Sequence, residues 1–450
     1  MSKTNKEKLA FVGLIGESLP NRQLSVNAGY LTVIDGKVFQ RGDTKEFEQL
    51  REQGFFDSYS ITYLNSAQVI IPGFVDCHTH APQFPNIGIG LDKPLLEWLK
   101  EYTFPLEKQY ADLEFAGKVY NQVVQRLIKN GTTTACYFGT LYLDSTIELA
   151  KGAARFGQRA LVGKVSMNIE NNEKYFNNTN TEIQEVETFI QTINGFENDL
   201  IQPIITPRFA VSCDTDLMLE LGRLAEKYDC RIQTHISENK DEIAYVLENF
   251  PSCVSYAEVY DKCKLLTNKS VLAHGVHLSS SEMSLLAARG AALAHCPASN
   301  TRLGSGLCPV RRGLEMGINT GLGTDVAGGD SSSILDAMRR AMDVSTHLDM
   351  LAPSDDIKHT ITWIEAFYLA TLGGAKVLNL DDKIGNFDIG KDFDALLIDV
   401  HNSGSQIDYY DWTKTRSQDY GVTLLQQFVY LGDDRNIIQV YVKGNKIKNI

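Results

Sequence analysis

An α/β chain built on a closed (β/α)8 TIM barrel, with a smaller sheet domain made from both chain ends, is the fold class that the sequence predicts. Three observations carry it. From residue 69 onward short apolar segments alternate with longer helical patterns; eight such segments can be counted; and residues 1–68 share with 381–450 a different pattern of β-like runs and turns.

The elements follow in chain order. In 1–68 the run Tyr30-Leu31-Thr32-Val33-Ile34-Asp35-Gly36-Lys37-Val38 reads as strand, turn and strand. Barrel strands are expected near 69–76, 132–137, 160–165, 201–206, 231–235, 271–274, 292–295 and 319–325. Each has the continuous apolar character of a strand buried on both faces. Helical patterns run between them, as at 111–130, 182–194, 216–227 and 280–289. The Asn-rich stretch 168–180 has no core pattern and reads either as a mobile loop near the active face or, the favoured alternative, as a plain solvated loop. Strand-like runs return at Ala395-Leu396-Leu397-Ile398-Asp399-Val400 and Ile438-Gln439-Val440-Tyr441-Val442. The expected division is thus 1–68 and 381–450 for the small domain, with the barrel over 69–380.

Composition narrows the function classes. With 450 residues, 43% hydrophobic and 22% charged, the chain has ample material for a large core. A net charge of −13 argues against nucleic acid, whose binders need a basic footprint. No run approaches a membrane span, and the charged start Met1-Ser2-Lys3-Thr4-Asn5-Lys6-Glu7-Lys8 leads into no signal-peptide core. Eight scattered cysteines without a Cys-x-x-Cys pair suggest neither zinc knuckle nor disulfide framework, so a cytoplasmic setting is expected.

Chemistry gathers at strand ends. The run Ile71-Pro72-Gly73-Phe74-Val75-Asp76-Cys77-His78-Thr79-His80 ends in two histidines two apart, which on a strand point the same way and can share one ion. His235, His274, His295 and Asp325 likewise close apolar runs, so all six fall on the face where barrel enzymes keep their active sites. Imidazoles and a carboxylate around a divalent ion, with a position left for water, compose a catalytic zinc site. Such an ion lowers the pKa of water from about 15.7 to roughly 7 and so supplies a hydroxide nucleophile. Glu238, three residues past His235, is placed to shuttle protons. His274 is a ligand or a hydrogen-bond partner of the water, and Asp325 a ligand, a base, or both. His295 is assigned a supporting rather than ligating role. Gly328 and Gly329 leave room for close substrate approach. A two-metal alternative bridged by Lys164 is disfavoured, because Lys164 falls on the third strand and the bridging lysine of related barrels is expected on the fourth.

These motifs resemble the amidohydrolase superfamily across nearly the whole chain. Pro72 to His80, His235-Ile236-Ser237-Glu238, His274-Gly275, His295-Cys296-Pro297 and Gly323-Thr324-Asp325 are similar to its deaminase branch. The narrower stretches Leu95-Leu96-Glu97-Trp98-Leu99, Tyr102-Thr103-Phe104-Pro105, Asn130 to Phe138, Thr206-Pro207-Arg208-Phe209 and Phe428 to Ile437 resemble the guanine deaminase family within it. The resemblance implies a β-sandwich from the two termini, a likeness to homodimeric enzymes, and one Zn2+ per subunit held by His78, His80, His235 and Asp325. It further implies hydrolysis of guanine to xanthine and ammonia by attack on C2, with Glu238, His274 and Asp325 catalytic. Substrate contacts would come from His80, Gln83, Arg208, Phe209, His235, Glu238 and Asp325. Pro82 departs from the small polar residue of that pattern. Gln83 can donate and accept along an amide edge, Arg208 can donate to O6 or N7, and Phe209 and Trp98 can wall a flat ring. The His-x-Glu and Pro-Cys-x-x-Cys signature of polynucleotide deaminases is absent, so a free base is expected. Rival readings are a deaminase of another ring, such as cytosine or a triazine, and a non-catalytic scaffold.

Overall fold

The computed structural model describes residues 8–352, 358–416 and 419–449; the charged start at 1–7 therefore lies outside the described residues. Five strands come first: β1 (Leu9–Ser18), β2 (Leu24–Ile34), β3 (Lys37–Asp43), β4 (Ser60–Tyr63) and β5 (Gln68–Pro72). Then follow β6 (Phe74–His80), β7 (Thr132–Phe138), β8 (Arg159–Gly163), β9 (Val165–Ser166), β10 (Ile201–Pro207), β11 (Arg231–Ile236), β12 (Ser270–His274), β13 (Ala292–His295) and β14 (Thr320–Leu322). The chain ends with β15 (Ala395–Asp399), β16 (Ile437–Val442) and β17 (Asn445–Asn449).

The barrel strands run in the order β6-β7-β8-β10-β11-β12-β13-β14, each parallel to its neighbour. Closure between last and first is made just beyond β14. Asp325 N–H donates to His78 O (2.9 Å) and His80 N–H to Val326 O (3.1 Å). Closure thus brings the β14 loop, and Asp325 with it, against the histidine pair of β6.

The termini form one eight-stranded mixed sheet, ordered β17-β16-β15-β5-β1-β2-β3 with β4 beside β1. Phe11, Leu31, Ile70, Phe393 and Tyr441 pack together on it. This corrects one expectation: the apolar run at 69–76 is two strands, not one. Gln68–Pro72 pairs with β1 and β15 in the terminal sheet, and only Phe74 onward enters the barrel. Gly73 is the joint, where an added Cβ would lie 2.1 Å from Thr133 Oγ1, so only glycine lets the chain cross there. Arg159, at the barrel's base, is buried and ion-paired with Asp392 (2.9 Å) and Asp394 (3.0 Å), fastening the two parts together.

Helices cover the barrel for reasons visible in their sequences. Leu113–Lys129 starts at Asp112, whose side chain accepts from Glu114 N and Phe115 N, and buries Ala116, Val119, Tyr120, Val123, Val124 and Leu127 at helical spacing. Ser280–Arg289 opens with a reciprocal Ser279/Glu282 capping box and stops at Gly290 in the left-handed conformation. Among the described residues no helix is long and apolar enough to cross a membrane.

The third barrel strand is interrupted at Lys164, whose buried ammonium is held by Glu182 (2.8 Å) and Glu185 (3.2 Å). Two carboxylates engage this lysine, and it lies on the third barrel strand as read. The Asn-rich stretch is tied down by its own side chains rather than loose. Asn168 bonds Thr179 and receives Asp214 N–H, Asn171 bonds Tyr175 twice, and Asn178 caps the helix Thr179–Asn194.

Candidate active site

Four strand ends converge on one buried cluster. His78 and His80 close β6, His235 lies near the end of β11, His274 ends β12, and Asp325 follows β14 by three residues. The ligand atoms of His78, His80 and His235 all lie within 4.8 Å of one another. Asp325 Oδ1 stands 3.1 Å from His78 Nε2 and 3.5 Å from His80 Nε2.

This donor set fits a divalent ion. Burial lowers the His78, His80 and His235 pKa values, leaving neutral rings with lone pairs to offer. His235 Nδ1 lies 2.6 Å from Arg208 O, an acceptor only, so Nδ1 carries the proton and Nε2 is the free lone pair. That Nε2 sits 3.1 Å from His80 Nε2. At metal–nitrogen distances of ~2.0–2.1 Å, two tetrahedral imidazole ligands would stand roughly 3.3 Å apart. His78 Nε2 is buried and has Asp325 Oδ1 beside it without a well-directed hydrogen bond, as befits two ligand atoms facing one ion position. Burial pushes the Asp325 carboxyl up, but His78 beside it, with His274 and His80, holds it well below the carboxylate range.

The loops behind the cluster are strained and tightly bonded. Ser237, His274 and Asp325 have left-handed backbone (φ 49°, 74° and 46°), an unfavourable state for non-glycine residues that packing must enforce. Asp76 does much of the enforcing: its carboxylate accepts from His78 N (3.2 Å), Thr324 N (3.1 Å) and Thr324 Oγ1 (2.6 Å). It thereby fixes the strand that carries both histidines to the turn that carries Asp325. Gly329 serves this turn, since its Cβ would meet Thr324 O at 2.1 Å, whereas Gly328 lines the pocket.

Glu238 and His274 face each other across the mouth of the cluster. Their Oε2 and Nε2 are 3.5 Å apart, and His274 Nε2 lies 3.7 Å from Asp325 Oδ2. Asn300 Oδ1 accepts from His274 Nδ1 at 2.8 Å, which aims Nε2 at the two carboxylates. Burial raises the Glu238 carboxyl to about 7, with His274 and the Ser305 hydroxyl opposing. Ser305 donates to Glu238 Oε1 at 3.0 Å. His295 lies outside the three-histidine group. Both of its ring nitrogens are buried without a partner, and burial with His274 nearby lowers its pKa to about 3. Its support comes from the backbone: His295 O accepts from Gly323 N–H (2.9 Å), at the start of the turn that carries Asp325.

Opposite the cluster the same pocket is lined by Gln83, Arg208, Phe209, Trp98, Leu95, Leu99 and Leu303. Pro82 starts the short 3-10 helix Ala81–Asn86, which carries Gln83 inward. Trp98 lines the pocket while packing with Leu95, Leu99 and Phe209, so wall and core are one role. Arg208 is 2% exposed and forms a two-pronged pair with Glu107, Nη1 to Oε2 at 2.7 Å and Nη2 to Oε1 at 3.1 Å. Gln83 Nε2 donates to Glu107 Oε1 at 3.2 Å, and Gln83 Oε1 accepts from Ala327 N at 3.2 Å. Asp76, Glu107, Asn300 and Ser305 escape sequence reading, since each is recognised only by a partner far along the chain.

A parallel barrel with buried histidines and a carboxylate gathered at the C-terminal ends of its strands defines a metal-dependent hydrolase class. The Amidohydrolase family model matches residues 69–447. The chain belongs to that family and is an enzyme of the hydrolase type.

Its relatives narrow the class. The guanine deaminase of Rattus norvegicus is 46% identical over 415 residues, spanning 92% of this chain and 90% of that protein. That of Dictyostelium discoideum is 41% identical and covers both chains fully. The crystal structure of guanine deaminase from C. acetobutylicum, with guanine bound in the active site, superposes with a TM-score of 0.88 at 36% identity, covering 98% of this chain and 100% of that one.

Proposed function

We propose that the protein hydrolyses guanine to xanthine and ammonia, with one Zn2+ held by His78, His80, His235 and Asp325. One observation carries the reading. His80, His235 and Asp325, which with His78 make up the imidazole and carboxylate cluster, line a single small pocket together with Gln83 and Arg208, beside relatives named guanine deaminases. Bound there, the ion would supply the acidity that turns water into a nucleophile near neutral pH.

The chain's own residues supply the remaining steps. Phe209 and Trp98 wall the flat base, while Gln83 and Arg208 hold its oxo edge, leaving C2 toward Glu238 and Asp325. Addition of water at C2 requires one proton to leave the water and one to reach a ring nitrogen. Collapse of the adduct requires another on the departing amine. Glu238, with its pKa near 7, can take and return these protons. Asp325, held as a carboxylate, accepts a hydrogen bond from the attacking water; against burial, the Glu238 and Asp325 carboxylates raise the His274 pKa, and the protonated ring, with Nδ1 on Asn300, donates from Nε2 toward the same place.

The test is steady-state turnover of guanine, cytosine, adenine and guanosine by purified protein, with zinc content measured on the same sample. Guanine should be the best substrate and yield xanthine and ammonia. A better rate on any of the others would overturn the assignment.

A further inference from the structure

Resting on the guanine reading above, we propose that Glu107 is the positioning residue that turns Gln83 and Arg208 into a donor-only reader of the base's oxo edge. Glu107 is fully buried at the end of Phe104–Glu107, a short helix that follows a π-helical turn, Leu99–Thr103. Pro105 explains the widened turn: it has no N–H to continue the helical ladder, and Phe104 N–H instead reaches back five residues to Leu99 O. The insertion swings Glu107 beneath the pocket wall.

Its two oxygens then serve both readers. Oε2 takes one N–H of Arg208, and Oε1 takes a second N–H of Arg208 and one N–H of Gln83. The only acceptor on Gln83 is already engaged by Ala327 N–H. Phe104, from the same helix, stacks 5.0 Å from the guanidinium and keeps its plane fixed.

Counting what remains gives the specificity. Arg208 retains N–H groups and no acceptor, and Gln83, whose Oε1 is turned to Ala327 N–H, retains one N–H. Every polar group that the two readers still offer is a donor. A base edge carrying acceptors, such as a 6-oxo group beside a ring nitrogen, is matched; an edge carrying a 6-amino group meets donor against donor and strands buried groups. Without Glu107, Arg208 loses its fork and Gln83 is free to turn its carbonyl outward.

The experiment measures kcat and KM for guanine and for 2-aminopurine, which lacks the 6-oxo group, in the zinc-loaded wild type and in Glu107→Gln and Glu107→Asp. Glu107→Asp keeps the buried charge opposite Arg208 while its shorter arm cannot hold both partners, so it protects the test against simple unfolding. In either variant the KM for guanine should rise roughly 10- to 100-fold with kcat within about threefold, the loss expected for charged hydrogen bonds. The KM for 2-aminopurine should move much less, because it cannot use the oxo-directed donors. Unchanged KM for guanine in a folded, zinc-loaded Glu107→Asp overturns the proposal, as does an equal loss on both bases. Failure of the guanine reading shows separately, as a wild type that does not turn guanine over.

Discussion

The two ends of the pocket are built by opposite means. The histidine end is assembled from the rims of barrel strands, each side chain placed by a strand terminus and fixed by the turn behind it. The base-reading end hangs on one buried carboxylate at the tip of an irregular helical insertion. On the proposed reading, rigid framework carries the chemistry, and a loop with a single hub carries the choice of substrate. The division lets recognition change without disturbing the reacting groups.

Substitutions on each end should separate cleanly if this is so. The largest effect is expected at the histidine end: His235→Ala should lose the bound divalent ion, seen by metal analysis, and lower turnover by more than about 10⁴-fold. Glu238→Gln should keep the ion and lower kcat by about 10²–10⁴-fold, since it removes proton transfer and no ligand. Near wild-type turnover in that variant would show that the proton path lies elsewhere. At the reading end, Arg208→Lys should raise KM for guanine by about 10- to 100-fold with a smaller change in kcat, because an ammonium cannot reproduce the planar fork. If it lowered kcat alone, the two ends would not be independent.

The smallest effect is one of pH. Burial raises the Glu238 carboxyl to about 7, so below that pH it stays protonated and cannot act as base. The proton-accepting form grows as pH rises through 7, and kcat/KM should fall about tenfold per unit on the acid side. The pH–rate profile of Glu238→Gln should lack that limb, and Arg208→Lys should retain it.

The same contrast explains what could be read from letters. Parallel strands buried on both faces announce themselves as apolar runs, and His78, His80, His235, His274 and Asp325 each close such a run, so the histidine end was legible. The limit was local: Val69 to Val75 is uniformly apolar although it serves two sheets, because both β5 and β6 are covered on each side. Only Thr133, on the neighbouring strand β7, shows why Gly73 divides them. Gln83 and Arg208 were reached through motif resemblance, and Glu107 was not reached at all. An acidic residue at a helix end ordinarily reads as solvated, and its burial depends on Arg208, far along the chain.

The joint at Gly73 also bears on how the molecule comes into being. Residue 72 is the register partner of residue 395, and the sheet that holds it continues through β16 and β17 at the far end of the chain. During synthesis the strand bearing His78 and His80 emerges early, yet the sheet that anchors its root is completed only when the last strands leave the ribosome. Such long-range pairing is slow to close. A chain that stops short of β15 therefore lacks the antiparallel partner of β5, and the root of the strand bearing both histidines is left paired on one side alone.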